Sequence, residues 1–169
     1  MMNLLSTENI LHFVRELVWW IFSAAISFAV LYPVVQKVDY FYYPVNFAFI
    51  FVSLTYLRWA LTLRSLPFLH PGIVRFLLFT FNLSLFIFFM QQEQKFIGLL
   101  DIFYTEDFGI PKQYVIFYDN VKADFFKYLR TELIFSSTTA LIAIAALNMR
   151  LIISWWQFYK RKATVMLEE

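Results

Sequence analysis

The stretch "TYLRWALTLR", Thr55 to Arg64, sets a guanidinium inside a run that is otherwise apolar. An arginine there has three chemical outlets: a carboxylate on a neighbouring helix, a lipid phosphate reached by extending the side chain, or an acid supplied by a partner. Arg150 lies six residues in from Trp156, and Arg75 opens the third apolar run. Within the chain the acid nearest their level is Glu16, just before the first apolar run. A charge that faces protein at that depth needs a counter-charge, because an unpaired one is costly. Glu16, Arg58, Arg75 and Arg150 are therefore the candidate ion-pair or anionic-lipid cluster. Glu16 is expected to pair with Arg58 or Arg150, leaving the other arginine or Arg75 for an anionic lipid or a partner's carboxylate.

Other site chemistry finds little support, so no catalytic, cofactor-binding or metal-binding residue is assigned. The two histidines, His12 and His70, flank apolar runs, whereas a bis-histidine haem needs ligands projecting from facing helices at membrane depth. There are no cysteines, which removes disulfides, thiolate metal sites and dithiol exchange. No acid occurs from Phe41 to Gln92 or from Leu133 to Leu167, and Glu106 and Asp107 stand adjacent without a motif around them. An enzyme is not expected on these grounds. An autonomous ion-coupled carrier is not expected either: spans two to four have no internal Gly or Pro to free backbone groups, and no span carries an acid at mid-depth.

The elements that must position the cluster are membrane helices. Of 169 residues, 61% are hydrophobic and 15% charged, outside the range of ordinary soluble domains. The formal net charge of +2, carried by dispersed basic residues, gives no footprint for nucleic acid. Apolar windows at 17–35, 45–63, 72–90 and 133–156 are each long enough to cross a bilayer core. The expected fold is an all-α integral membrane protein, a single four-helix domain over 1–169 with a helical extracytoplasmic segment at 91–131 between helices 3 and 4. The first apolar run is read as an uncleaved helix, since no basic residue precedes Arg15. "PFLHPG" (Pro67 to Gly72) is short enough to imply an antiparallel hairpin of spans two and three.

Orientation follows the distribution of Lys and Arg in short loops. With both termini inside, the cytoplasmic side carries eight basic and four acidic residues, net +4, and the other side six basic and eight acidic, net −2. The expected location is the bacterial inner membrane with both termini cytoplasmic. In segment 91–131, Phe96, Leu99, Leu100, Phe103 and Tyr104 recur with helical spacing, as do Tyr114, Phe117, Tyr118, Val121, Phe125 and Tyr128. Two amphipathic helices are expected, lying on the membrane or docking a partner, with a short strand at "YVIFY" as the less favoured reading.

Small and polar residues trace stripes: Glu16, Trp20, Ser23 and Ser27 on helix one; Thr55, Arg58, Thr62 and Ser65 on helix two; Ser136, Thr139, Ala143, Ala146 and Arg150 on helix four. Such seams let helices approach closely in lipid, and helices one and four are expected to pack tightly. Span three is bulkier, with phenylalanines directed at lipid or another subunit. A rigid four-helix bundle with adhesive outer surfaces fits an accessory or scaffolding subunit of a larger inner-membrane protein complex, whose partners are membrane lipids and other membrane subunits. In layout, with four spans and both ends inside, the chain is similar to the small membrane subunits of tripartite solute transporters. That resemblance supplies the alternative, a membrane subunit of a solute transporter; a lipid-interacting membrane enzyme is the second alternative.

Overall fold

The computed structural model describes residues 7–36, 38–40, 43–62, 72–105, 115–117 and 123–168. Four helices dominate: α1 (Thr7–Val35), α2 (Tyr43–Thr62), α3 (Gly72–Thr105) and α4 (Ala123–Glu168). Two short strands, β1 (Val38–Tyr40) and β2 (Val115–Phe117), precede α2 and α4. Each helix is long and apolar enough to cross a membrane, over Ile10–Val35, Tyr43–Thr62, Ile73–Gly98 and Lys127–Gln157.

Two prolines lie at helix ends. Pro44 occupies the first turn of α2, where its missing N–H leaves nothing unpaired, and Pro33 lies in the last turn of α1. The link expected to close a hairpin, 67–72, lies outside the described residues except for Gly72, which begins α3.

Helix contacts fix the directions. Phe28 meets Phe47 and the Tyr43 hydroxyl donates to Val34 O, so α1 runs antiparallel to α2. Asn82 meets Asn148 and Phe76 meets Trp155, so α3 runs antiparallel to α4. At one end of the α2–α4 contact Asn46 joins Glu132 and Ser136; at the other Arg150 meets Ala60. These two helices are therefore parallel, and the ladder pairing Val38 with Phe117 and Tyr40 with Val115 ties together the strands that lead into them.

Three features depart from the sequence reading. Within the segment 91–131, Gln91–Thr105 are helical as the continuation of α3 and Ala123–Thr131 are helical as the start of α4, whereas Val115–Phe117, read as part of the second helix, is a strand. A Val-Ile-Phe run suits a strand once a partner edge exists, and that edge, Val38–Tyr40, lies far away in sequence. Helices one and four are also not the tight pair. α2 and α4 form the central contact, α1 lies along α2 and α3 along α4. The reason is that α1's buried stripe, Glu16, Ser23, Ser27, Leu31 and Val34, is spent on α2, while α1 reaches α4 where the Tyr128 hydroxyl donates to Val30 O. Third, the helices run past the apolar windows, so Glu93 and Glu132 stand within α3 and α4 rather than in the connection between them.

The core lies between α2, α3 and α4. Ala140, Ala143, Ile144 and Leu147 are fully buried on α4, and Phe49 of α2 meets the edge of Phe89 of α3 at 4.7 Å between centroids. This core holds the central helix pair in one register, and polar groups sit at both of its ends.

Candidate functional site

The first polar end is built on α1 and α2. Glu16 sits on the stripe of α1 that faces α2 and is 4% exposed. Arg58 lies four residues from the end of α2, and its guanidinium grips the Glu16 carboxylate with both arms. Nη1 donates to Oε2 at 2.7 Å, and Nη2 donates to Oε1. The Trp59 indole N–H adds a donor to Oε2 at 3.1 Å. The outer face of the guanidinium is covered by Trp19, 5.0 Å from the ring centroid. A planar cation held by a carboxylate in its plane and by an aromatic ring across its face uses both recognition modes open to arginine.

The arginine pairing with Glu16 is thus Arg58. Arg150 instead donates through Nε to Ala60 O at 2.8 Å, a backbone carbonyl near the end of α2. A cation at a helix C-terminus also meets the negative end of its dipole. Arg75 is partly buried in the first turn of α3, and the hydrogen-bond partners of Glu16 are Arg58 and Trp59. His12 accepts from Arg15 at 3.0 Å, while His70 lies outside the described residues.

The second polar end escaped the sequence reading. Asn46, fully buried on α2, donates through Nδ2 to Glu132 Oε2 at 2.8 Å. Ser136 Oγ lies 3.2 Å from Asn46 Oδ1 and 3.1 Å from Leu133 O. Glu132 Oε1 is buried with no hydrogen-bond partner among the described residues. On the far side of α4, Ser137 donates to Glu93 at 2.9 Å, and deeper in, the Asn82 amide donates to Asn148 at 2.9 Å. The available signal was Asn46 and Asn148, isolated amides in apolar runs, of the kind that cross-link helices in lipid.

Chemically, the arrangement fastens helices to one another at both ends. Among the described residues no group of three His, Cys, Asp or Glu is placed to hold a metal ion. No family model matches this chain, and no curated protein or solved structure matches it.

Proposed function

We propose that the chain is an accessory or scaffolding subunit of a larger assembly in the bacterial inner membrane, holding partner helices along the flank of α3. The observation that carries this reading is the unequal burial of the four helices. α2 and α4 are the most buried of the four, whereas α3 is the least buried and presents Ile73, Leu77, Phe81 and Ile87 outward. A helix fixed on one side by Asn82 and Glu93 and bare on the other offers a rigid aromatic surface to a partner. Photoreactive residues at Phe81 and Ile87, used in native membranes, are expected to cross-link one stoichiometric heavier partner that co-purifies in mild detergent. One at the buried Ala143 should not. A homogeneous monomer with cross-links to lipid alone would remove the reading.

The orientation belongs to the same proposal. Both termini face the cytoplasm, supported by the net +4 against −2 on the two sides. Single cysteines at Ser65 and Thr105 are expected to label from opposite faces of sealed vesicles, and labelling from one face would end the four-span arrangement.

A second reading, the membrane subunit of a solute transporter, draws on Glu93 and Glu132. Carboxyls inside spans are rare and tend to line substrate or proton pathways. In that reading the solute passes through a larger partner, and the cross-linked protein would itself carry broken helices and a substrate site.

A further inference from the structure

We propose that a wedge between α1 and α4, with α2 as its floor, holds an acyl chain of an anionic phospholipid whose phosphate is bound by Arg150. The inference needs the chain in a bilayer but neither the partner nor the orientation proposed above.

The floor is one stripe of α2. Tyr43, Phe47, Ile50, Leu54, Leu57 and Leu61 step by four, three, four, three and four, so they share a face of the helix. At the start of the stripe α1 covers that face: the Tyr43 hydroxyl donates to Val34 O, and Phe47 meets Phe28 at 4.9 Å between centroids. Towards the other end α1 is held through Glu16 by Arg58 and Trp59, which lie off the stripe. α1 therefore crosses α2 obliquely and uncovers the stripe as it goes. Burial follows the divergence: Ile50 is 7% exposed, Leu54 is half-buried, Leu57 is 44% exposed and Leu61 72%.

The other wall is α4. Tyr128 and Arg150 stand about six whole turns apart on it and so share a face, while Asn148 and Trp155 hold α3 on the side away from them. Tyr128 closes the narrow end, its hydroxyl donating to Val30 O of α1 at 3.3 Å. Arg150 stands exposed at the wide end, with Nε on the carbonyl of Ala60, the residue before Leu61.

That one bond fixes the guanidinium and leaves both terminal nitrogens without a hydrogen-bond partner among the described residues. Two parallel N–H donors at the end of a planar cation match two oxygens of a phosphate. The chain offers no carboxylate instead. No acid occurs from Phe41 to Gln92 or from Leu133 to Leu167, the Glu16 carboxylate is taken by Arg58 and Trp59, and Glu8 and Glu168 stand more than two turns beyond Glu16 and Arg150 along their helices.

Depth and length fit a lipid. Ala60 is two residues from the end of α2, about 3 Å along the axis, which brings the Arg150 guanidinium within reach of the headgroup phosphates. From Ile50 to Leu61 the floor is about 16 Å long, about half of a bilayer core of roughly 30 Å and so the depth of one leaflet. A partner's helix, about 10 Å across with its side chains, is stopped where Tyr128 bridges α4 to α1, whereas a flexible acyl chain tapers into the same space. A headgroup that carries its own cation already pairs its phosphate, so the matching lipid is one of net negative charge.

Native mass spectrometry of the full chain in mild detergent tests this, with phosphatidylglycerol and phosphatidylcholine of identical acyl chains as probes. Phosphatidylglycerol is expected to bind about tenfold more tightly, a difference that one charge-assisted contact supplies. Arg150→Gln should abolish the preference and leave phosphatidylcholine binding as it was; Arg150→Lys should keep part of it, and Arg130→Gln, towards the other end of α4, all of it. Leu57→Trp fills the wedge without touching the charge and should weaken both lipids. Equal binding of the two lipids, or a preference that survives Arg150→Gln, would overturn the proposal. If Arg150→Gln fails to fold, undiminished binding to Leu57→Trp overturns it as well. Soluble glycerophosphoglycerol should not compete; competition would make this a site for free phosphate esters and refute the lipid. Chain purified from native membranes should carry anionic phospholipid enriched over the bulk membrane. Absence of that enrichment, with a protein cross-linked to a photoreactive residue at Leu61, would assign Arg150 to a partner's carboxylate instead.

Discussion

Arg58→Leu will cost the folded chain about 3–5 kcal/mol, the range for removing one partner of a buried ion pair. The substitution leaves the Glu16 carboxylate 4% exposed, with the Trp59 N–H as its remaining donor. Glu16→Gln will cost less, about 1–3 kcal/mol. The guanidinium it strands keeps the face of Trp19, and its long stem can extend to the headgroups. The double variant removes both charges together and will lose less than the two single losses added, by a coupling of about 0.5–3 kcal/mol. Reversible unfolding in mixed micelles of mild detergent and SDS reads all three. Additive losses would mean that Glu16 and Arg58 stabilise the fold independently, which their two-armed contact does not allow.

This pair was legible because both residues interrupt apolar patterns. Glu16 was the acid at the level of the arginines, so few pairings were open. The choice between Arg58 and Arg150 was not legible, since it depends on which face of α1 meets which helix. Periodicity gives the phase of a helix and not its neighbour. The same gap explains the expectation that helices one and four would pack, when both seams are real and both face α2. Glu132 was hidden for a different reason. Hydropathy windows end at charged residues, so an acid inside a helix end is assigned to the adjoining loop, and its partner Asn46 lies 86 residues away. The strand Val115–Phe117 is only the less favoured reading of its sequence because nothing within the segment shows its partner edge, Val38–Tyr40.

The parallel register of α2 and α4 carries the second large effect. Asn46 to Ala60 and Ser136 to Arg150 are stretches of equal length, fifteen residues each, closed at one end by Asn46 with Ser136 and at the other by Arg150 on Ala60 O. Halfway along each stretch stand Ser53 and Ala143, both buried, the second completely. The Ser53 hydroxyl folds back onto Ile50 O at 2.8 Å, so no polar hydrogen projects from this middle position. In lipid the unfolded reference already surrounds apolar side chains with hydrocarbon, and close packing and interhelical hydrogen bonds are what hold such a contact. Ala143→Leu adds volume at the point of closest fit. The helices must separate there or force side chains off their rotamers, costing about 1–3 kcal/mol. Separation also lengthens the Asn46–Glu132 and Arg150–Ala60 hydrogen bonds, so the loss is expected at the upper end of that range. Ala145→Leu places the same side chain on the exposed face two residues further on and is expected to stay within about 0.5 kcal/mol of wild type. The two variants have equal hydrophobicity and equal helix propensity, so their difference in SDS unfolding isolates the contact between α2 and α4. Equal stability of Ala143→Leu and Ala145→Leu would show that Ala143 does not lie at a close helix contact.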